Sequence, residues 1–198
     1  MSPLLQTLSA ASVRAFGWSR GSAAGGGAME LISTQILGTA AATITFSSIP
    51  QTYKHLQVRV VGRFSANSSG NVDLSMRVNG DTVSGHYAWH QLIGNGSSAT
   101  FNTATSTNYI AAGVVPNNLA TTNTFSGTVI DVLDYTSASK NKTIRALGGV
   151  APASTLQVQL ASGLWISTAA VTSLSFFDGM NVTNFMVGTR ISLYGVLG

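Results

Sequence analysis

The sequence predicts an all-β fold, an antiparallel β-sandwich or jelly roll of about ten strands. Three observations lead to this class. Short segments alternate apolar and polar side chains, turn residues separate them, and no segment of helical periodicity lies between them. Because parallel strands need long crossover connections, usually helices, the absence of such segments favours antiparallel pairing.

The alternation is clearest at residues 72–78, where Asp73, Ser75 and Arg77 alternate with apolar side chains. The turn-forming pair Asn79-Gly80 follows this run, and similar turn residues separate the other alternating runs. The predicted strands, in chain order, are 42–46, 56–61, 72–78, 109–115, 125–133, 143–147, 156–160, 164–166, 174–177 and 191–196.

Residues 1–28 differ from the rest and predict an N-terminal anchoring arm, followed by one β-domain at 29–198. Ser2 and Pro3 suit a helix start, and Gly17 can end a helix of about 13 residues. Such a helix is too short to be stable alone, so we expect it to dock on a partner. The Gly-rich stretch 21–28 predicts a flexible linker. The residues expected to anchor the arm are Leu4, Leu5, Leu8, Val13, Arg14, Phe16 and Trp18.

A mitochondrial transit peptide is the alternative for this segment, since it is Ser-rich and carries Arg14 and Arg20 with no acid before Glu30. The anchoring arm is the preferred interpretation, because a targeting peptide would normally be removed. A secretory signal fits less well, because no cation precedes the apolar part.

The composition is typical of a chain that works inside an assembly. Only 8% of the residues are charged, against about 25% in an average soluble domain. The net charge of +4 comes from dispersed cations, and the group Arg59, Arg63 and Arg77 is too widely spaced to form the concentrated basic stripe of a nucleic-acid-binding protein. We expect no nucleic-acid partner. No apolar run approaches the ~18–20 residues of a membrane span, so we expect no membrane insertion.

His86 and His90 are the candidate interface or ligand residues. Four residues of extended chain span about 13 Å, so the two rings are expected to share a face without holding one metal ion. Tyr87 and Trp89 then fall on the opposite face as core anchors. A purely structural role for the histidines is the simpler interpretation.

The remaining chemical groups predict no catalytic site, no metal and no cofactor. Asp131 and Asp134, three apart on a predicted strand, point to opposite faces and make a poor glycosidase pair. The loop at 178–181 offers a single carboxylate, too little for Ca²⁺. The chain has no cysteine and no nucleophile elbow or phosphate loop. We therefore predict a protein that is not an enzyme.

Several segments together resemble accessory virion structural proteins of tailed bacteriophages. They are Ile-Pro-Gln-Thr-Tyr-Lys-His-Leu at 49–56, Tyr-Ala-Trp-His at 87–90, Gly-Asn-Gly-Ser-Ser at 94–98 and the C-terminal Arg-Ile-Ser-Leu-Tyr-Gly-Val at 190–196. Residues 8–17 resemble the short arms that precede fibre-tip or decoration domains. The resemblance covers about residues 30–198 and implies a particle component without indicating head or tail.

The expected function is therefore a non-enzymatic structural protein at the virion surface, attached to other virion proteins by its arm. Proteins of this type commonly form homotrimers. A tail-fibre or receptor-binding tip, which would contact a host-surface glycan or protein, is preferred because the linker suits a domain held away from its anchor. A capsid decoration (cement) protein is the alternative, and a stand-alone carbohydrate-binding module is a further one, based on Tyr87, Trp89, Tyr109 and Trp165.

Overall fold

The computed structural model describes residues 28–66, 71–151, 156–180 and 182–198. All seven predicted anchoring residues, Leu4 to Trp18, lie outside this part of the chain. The described residues form twelve strands and no helix. None of them forms a helix long and apolar enough to cross a membrane.

The strands make two antiparallel sheets. The large sheet has the order β1-β12-β3-β8-β9-β10-β5-β6, and the small sheet has the order β2-β11-β4-β7. The strands are β1 Met29–Ile36, β2 Thr43–Phe46, β3 His55–Gly62, β4 Asn71–Val78, β5 Tyr87–Gly94, β6 Ala99–Thr107, β7 Ile110–Pro116, β8 Ser126–Val132, β9 Lys142–Val150, β10 Gln157–Trp165, β11 Leu174–Asp178 and β12 Arg190–Val196.

The predicted all-β, antiparallel class is confirmed, with twelve strands instead of ten. The predicted strands at 156–160 and 164–166 fall on one strand, β10, which runs without a break from Gln157 to Trp165. They look separate in the sequence because Gly163 has no side chain to continue the alternating pattern. Strands β1, β5 and β6 were not among the predicted runs. In β6 seven of nine residues are exposed, so no core-facing alternation marks it in the sequence.

Core packing occurs between the two sheets. One cluster joins Leu56 and Val58 of the large sheet with Leu74 and Met76 of the small sheet, all with no exposed surface. Beside them, the rings of Phe64 and Phe185 stack at 4.4 Å between centroids.

The chain crosses between the two sheets at every connection except β5–β6, β8–β9 and β9–β10, which join neighbouring strands of the large sheet. The hairpins β5–β6 and β9–β10 are additions to this sheet. These four added strands widen the large sheet next to β8. The last strand of the small sheet, β7, contacts β8, β9, β10 and β5. Within the part of the chain that the structure describes, β6 has no comparable contact with the small sheet, and seven of its nine residues are exposed.

The two sheets approach closely where β7 crosses β10. A Cβ atom on Gly163 would lie 2.6 Å from Cγ2 of Ile110, which is well inside van der Waals contact. Ile110 has no exposed surface and cannot move outward. Gly163 is therefore required by the spacing between the sheets.

We expect Gly163→Ala to lower the free energy of unfolding by about 1–3 kcal/mol, the usual cost of overpacking a core. Gly127→Ala is the matched control, because Gly127 also lies in a strand of the large sheet and nothing lies within 4 Å of its added Cβ. Urea unfolding of the three proteins measures the difference. Equal losses for both variants would contradict this account of the sheet spacing.

Candidate functional site

A row of apolar side chains crosses the outer face of the large sheet, the face turned away from the small sheet. The strand registers place Val129 beside Leu147, Leu147 beside Leu160, Leu160 beside Leu92, and Leu92 beside Phe101. We call these five residues the apolar ridge. It spans five adjacent strands, or about 19 Å at the usual strand spacing.

Every residue of the ridge is exposed. The exposed fractions are 38% for Val129, 58% for Leu147, 46% for Leu160, 53% for Leu92 and 71% for Phe101. Single exposed apolar residues are ordinary on protein surfaces, but a contiguous row of them marks an interaction surface.

In part of β10 and of β5 the polarity of the strand is reversed, although Trp165 and Tyr87 of the same strands face the core. Alternation alone favours apolar side chains toward the core, yet Leu160 and Leu92 point outward while Gln159 and Gln91 are buried at 1% and 0% exposure. The Gln91 amide donates to the Ala111 carbonyl oxygen at 3.2 Å. Neither amide atom of Gln159 has a hydrogen-bond partner. The ridge is therefore present at a cost to the core.

On one side of the ridge lies a row with almost no side chains, which we call the glycine furrow. It runs through Gly127, Gly149, Val158, Gly94 and Ala99 in register across the same five strands. Val158, 61% exposed, is its one large side chain.

On the other side of the ridge the neighbouring row is polar. Asp131 accepts hydrogen bonds from Gln57 Nε2 at 3.0 Å and from Arg145 Nη2 at 3.1 Å. Ser162 and His90 continue this row in register with Arg145. Asp131 and Arg145 thus neutralise each other beside the ridge. Arg59, in register with Val129, donates to Gln57 Oε1 at 3.2 Å and lies over the Tyr194 ring.

His90 and His86 lie in different surroundings. His90, on β5, is exposed on the outer face, and its ring meets Phe101 of the ridge edge-on at 6.3 Å between centroids. His86 precedes β5 and its Nδ1 lies 2.7 Å from Oδ2 of Asp81. Of the two, only His90 adjoins the ridge.

Tyr87 is fully buried, and Trp89 is half-buried against the edge of the core. A shallow cleft of about 360 Å³ opens beside Trp89, with His90, Thr103 and Ser162 among its lining residues. The indole N–H of Trp89 is buried without a hydrogen-bond partner.

Asp81 is the centre of the network that holds the loop before β5. Its Oδ2 accepts from Trp165 Nε1 at 2.8 Å as well as contacting His86, and its Oδ1 accepts from the Val83 N–H at 2.9 Å. Burial acts to raise the pKa of Asp81, but the hydrogen bonds from Trp165, Val83 and His86 outweigh it and leave the pKa below its usual value.

The Asp81–His86 pair is the one histidine–carboxylate contact of the described residues at hydrogen-bond distance. A catalytic pair needs a nucleophile or substrate beside it. Neither residue lines the Trp89 cleft or a second cleft formed by Asp73, Tyr109 and Asp178. The nearby hydroxyl of Ser84 donates to the Ser106 carbonyl oxygen instead.

The second cleft contains two carboxylates. Asp178 is buried and its oxygens accept from the N–H groups of Met180, Val182 and Thr183, so it holds the loop that follows β11. Burial, and then the charge of Asp178, raise the pKa of Asp73. Across the described residues no group of three or more His, Asp or Glu side chains could hold a metal ion.

Two cations are buried inside the fold. Lys142, with no exposed surface, donates to the carbonyl oxygens of Ser137, Lys140 and Thr168, and burial lowers its pKa. Arg63 likewise donates to three backbone carbonyl oxygens of the loop before β8. Arg59, by contrast, faces Tyr194 on the outer face of the large sheet. Arg59 and Arg63, four residues apart in the sequence, therefore do not share one surface.

No protein-family model matches this sequence, and no curated protein matches it. The ridge itself was not predicted from the sequence. Its signal is present in the run Leu-Gln-Val-Gln-Leu at 156–160, but alternation does not indicate which of the two faces meets the core.

The lowered pKa of Asp81 predicts a defined pH dependence. Its charged form stabilises the fold above the pKa of an unfolded aspartate, about 3.9, and this contribution is lost as the pH falls through the lower, folded-state pKa. We expect Asp81→Asn to be less stable than wild type at pH 6, with the difference shrinking below pH 4. Urea unfolding at a series of pH values measures it. A difference that is constant with pH would contradict the charged network.

Trp89→Ala is expected to lower the free energy of unfolding by about 1–3 kcal/mol, less than the 3–5 kcal/mol of a fully buried tryptophan. His90→Ala, at an exposed position of the same strand, is the control and should stay within about 0.5 kcal/mol of wild type. A harmless Trp89→Ala would indicate that the ring is not packed and is free to stack on a ligand.

Proposed function

We propose that this chain is a non-enzymatic structural protein of a tailed-phage particle, displayed at the virion surface and attached by residues 1–28. The apolar ridge is the observation that supports an assembly role best. A protein that works alone in solution gains nothing from an uncharged row of exposed leucines. The phage assignment comes from the resemblance of the sequence segments described above.

We further propose that the domain is a jelly roll. Without the two added hairpins, the large sheet would have the order β1-β12-β3-β8 and the small sheet the order β2-β11-β4-β7. Successive strands of this eight-strand set alternate between the sheets except β4 and β7, which pair with each other at the end of the small sheet. This is the strand order of a jelly roll built from two Greek keys. Jelly rolls are frequent in viral capsid proteins, which supports the proposed particle role.

A fibre or receptor-binding tip remains the preferred position, with a capsid decoration protein as the alternative. Mass spectrometry of purified particles and electron microscopy of the site occupied by this chain would separate them. A chain spread over the capsid surface indicates decoration, and a chain at a fibre end indicates the tip. Absence from the particles would reject both.

A carbohydrate-binding module is the second candidate, and the cleft beside Trp89 favours it. Aromatic rings bind sugars through exposed faces, whereas Tyr87 and Trp165 are buried. Trp89 and Tyr109 are half-buried and line the two clefts, and substitution of Trp89 tests this candidate. Binding of host-surface glycans that is lost in Trp89→Ala, with the fold retained, would support it.

Removal of residues 1–27 is expected to leave the sandwich folded and to abolish incorporation into particles. The cut precedes Ala28, whose carbonyl oxygen accepts a hydrogen bond from the Leu197 N–H. The described residues form a core cluster among themselves, from Ile44 to Leu193. Thermal unfolding tests the fold, and complementation of a phage lacking the gene tests incorporation. Normal incorporation of the shortened chain would contradict the anchoring role, as would its failure to fold.

A further inference from the structure

We propose that the apolar ridge and the glycine furrow form the contact surface for another copy of this chain. This inference goes beyond the proposed particle role, because self-association is measurable on the protein alone. It rests on the area of the surface, its shape, its charge and the neighbouring sheet edge.

The exposed apolar area is large for a monomer. Aromatic side chains bury about 150–250 Å² each, and aliphatic ones lie near the low end of that range, so the exposed fractions of the ridge and Val158 correspond to roughly 600 Å² of apolar surface. The largest apolar patch of a typical monomer is about 300–600 Å², and a standard interface buries about 800 Å² per partner. The ridge would therefore form the apolar centre of an interface, and the furrow and the polar row beside it would supply the remaining area.

The shape is self-complementary. The ridge stands beside a furrow in which Gly127 and Gly94 have nothing within 4 Å of the position of a Cβ atom. The ridge of one copy can thus lie along the furrow of the next. In this arrangement Leu147 and Leu160 of one copy approach the backbone beside Val158 of another.

Charge also favours another copy over a partner of different chemistry. Neither the ridge nor the furrow contains a charged residue, and Asp131 and Arg145 beside them are already paired at 3.1 Å. Arg59, in register with Val129 at one end of the ridge, lies over the Tyr194 ring and away from the other four ridge residues. A surface without net charge does not select an oppositely charged partner. It does allow two chains of net charge +4 to meet without local repulsion.

The sheet edge next to the ridge provides an independent reason. Strand β6, the edge strand of the large sheet, contains no charged residue and no proline. Natural edge strands are normally protected by such residues or covered by another element. Phe101 lies on this strand and at the end of the ridge, so one neighbouring copy can cover both features.

The test is the molar mass of the full chain, measured by sedimentation equilibrium over a range of micromolar concentrations. We expect a mass two or three times the 20.4 kDa of one chain. Leu147→Asp and Leu160→Asp each place a carboxylate in the ridge and should reduce the mass to that of one chain. Both variants should stay folded, with the far-UV circular dichroism of the wild type, because both side chains are exposed in the single chain. Their thermal midpoints should fall only by the contribution of the lost association.

Leu31→Asp is the matched control. Leu31 is exposed to the same extent as Leu147, 58%, but lies on β1, at the opposite edge of the large sheet. This variant should keep the wild-type mass. A monomeric wild-type chain would overturn the proposal, as would dissociation caused equally by Leu31→Asp and Leu147→Asp.

Two further outcomes would assign the ridge to another occupant and would also overturn the proposal. If the full chain is monomeric and removal of residues 1–27 makes it associate, the arm covers the ridge. If the chain is monomeric and Leu147→Asp blocks incorporation into particles, another virion protein covers it. Self-association together with absence from particles would support the contact and reject the particle role.

Discussion

The unequal size of the two sheets is the constraint on which the rest of the structure depends. Four strands cannot cover eight, so the inner face of the large sheet is shielded only as far as β7 reaches. Close approach at Gly163 brings β7 against β10 and extends this cover. Beyond it, seven of the nine residues of β6 are exposed. The added hairpins therefore enlarge the outer surface more than the core.

The reversed polarity in parts of β10 and β5 shows that this outer surface is not incidental. A buried polar group without a partner costs about 1–3 kcal/mol, and Gln159 has two such atoms. Outward-facing Leu160 and Leu92 gain nothing in an isolated domain, because their surface remains in water. The outward-facing leucines and the inward-facing glutamines have one explanation if another protein covers the outer face in an assembly. In that case β10 and β5 are buried on both faces, and their sequence reflects both environments.

Most of the fold could be predicted from the sequence, because strands such as β3 and β4 bury one face and expose the other. Alternation with a period of two then marks both the strand and its orientation. The same signal could not predict β6, where neither face is buried, nor the orientation of β10, where both possible faces carry a regular pattern. The site depends on those two strands. Register across five strands, which joins residues from 92 to 160, is set by tertiary pairing and has no local signature.

The positions of the charged residues in the fold show what most of these few charges do. Lys142 and Arg63 are buried and hold loops through backbone carbonyl oxygens, Asp81 and Asp178 hold loops through N–H groups, and Asp131 is paired with Arg145. Much of the small set of charged residues thus maintains the shape of the domain. Few charges remain to keep the outer face in solution as an isolated surface. An uncharged apolar ridge on such a chain is the kind of surface that another protein normally covers, and the proposed assembly role depends on this property.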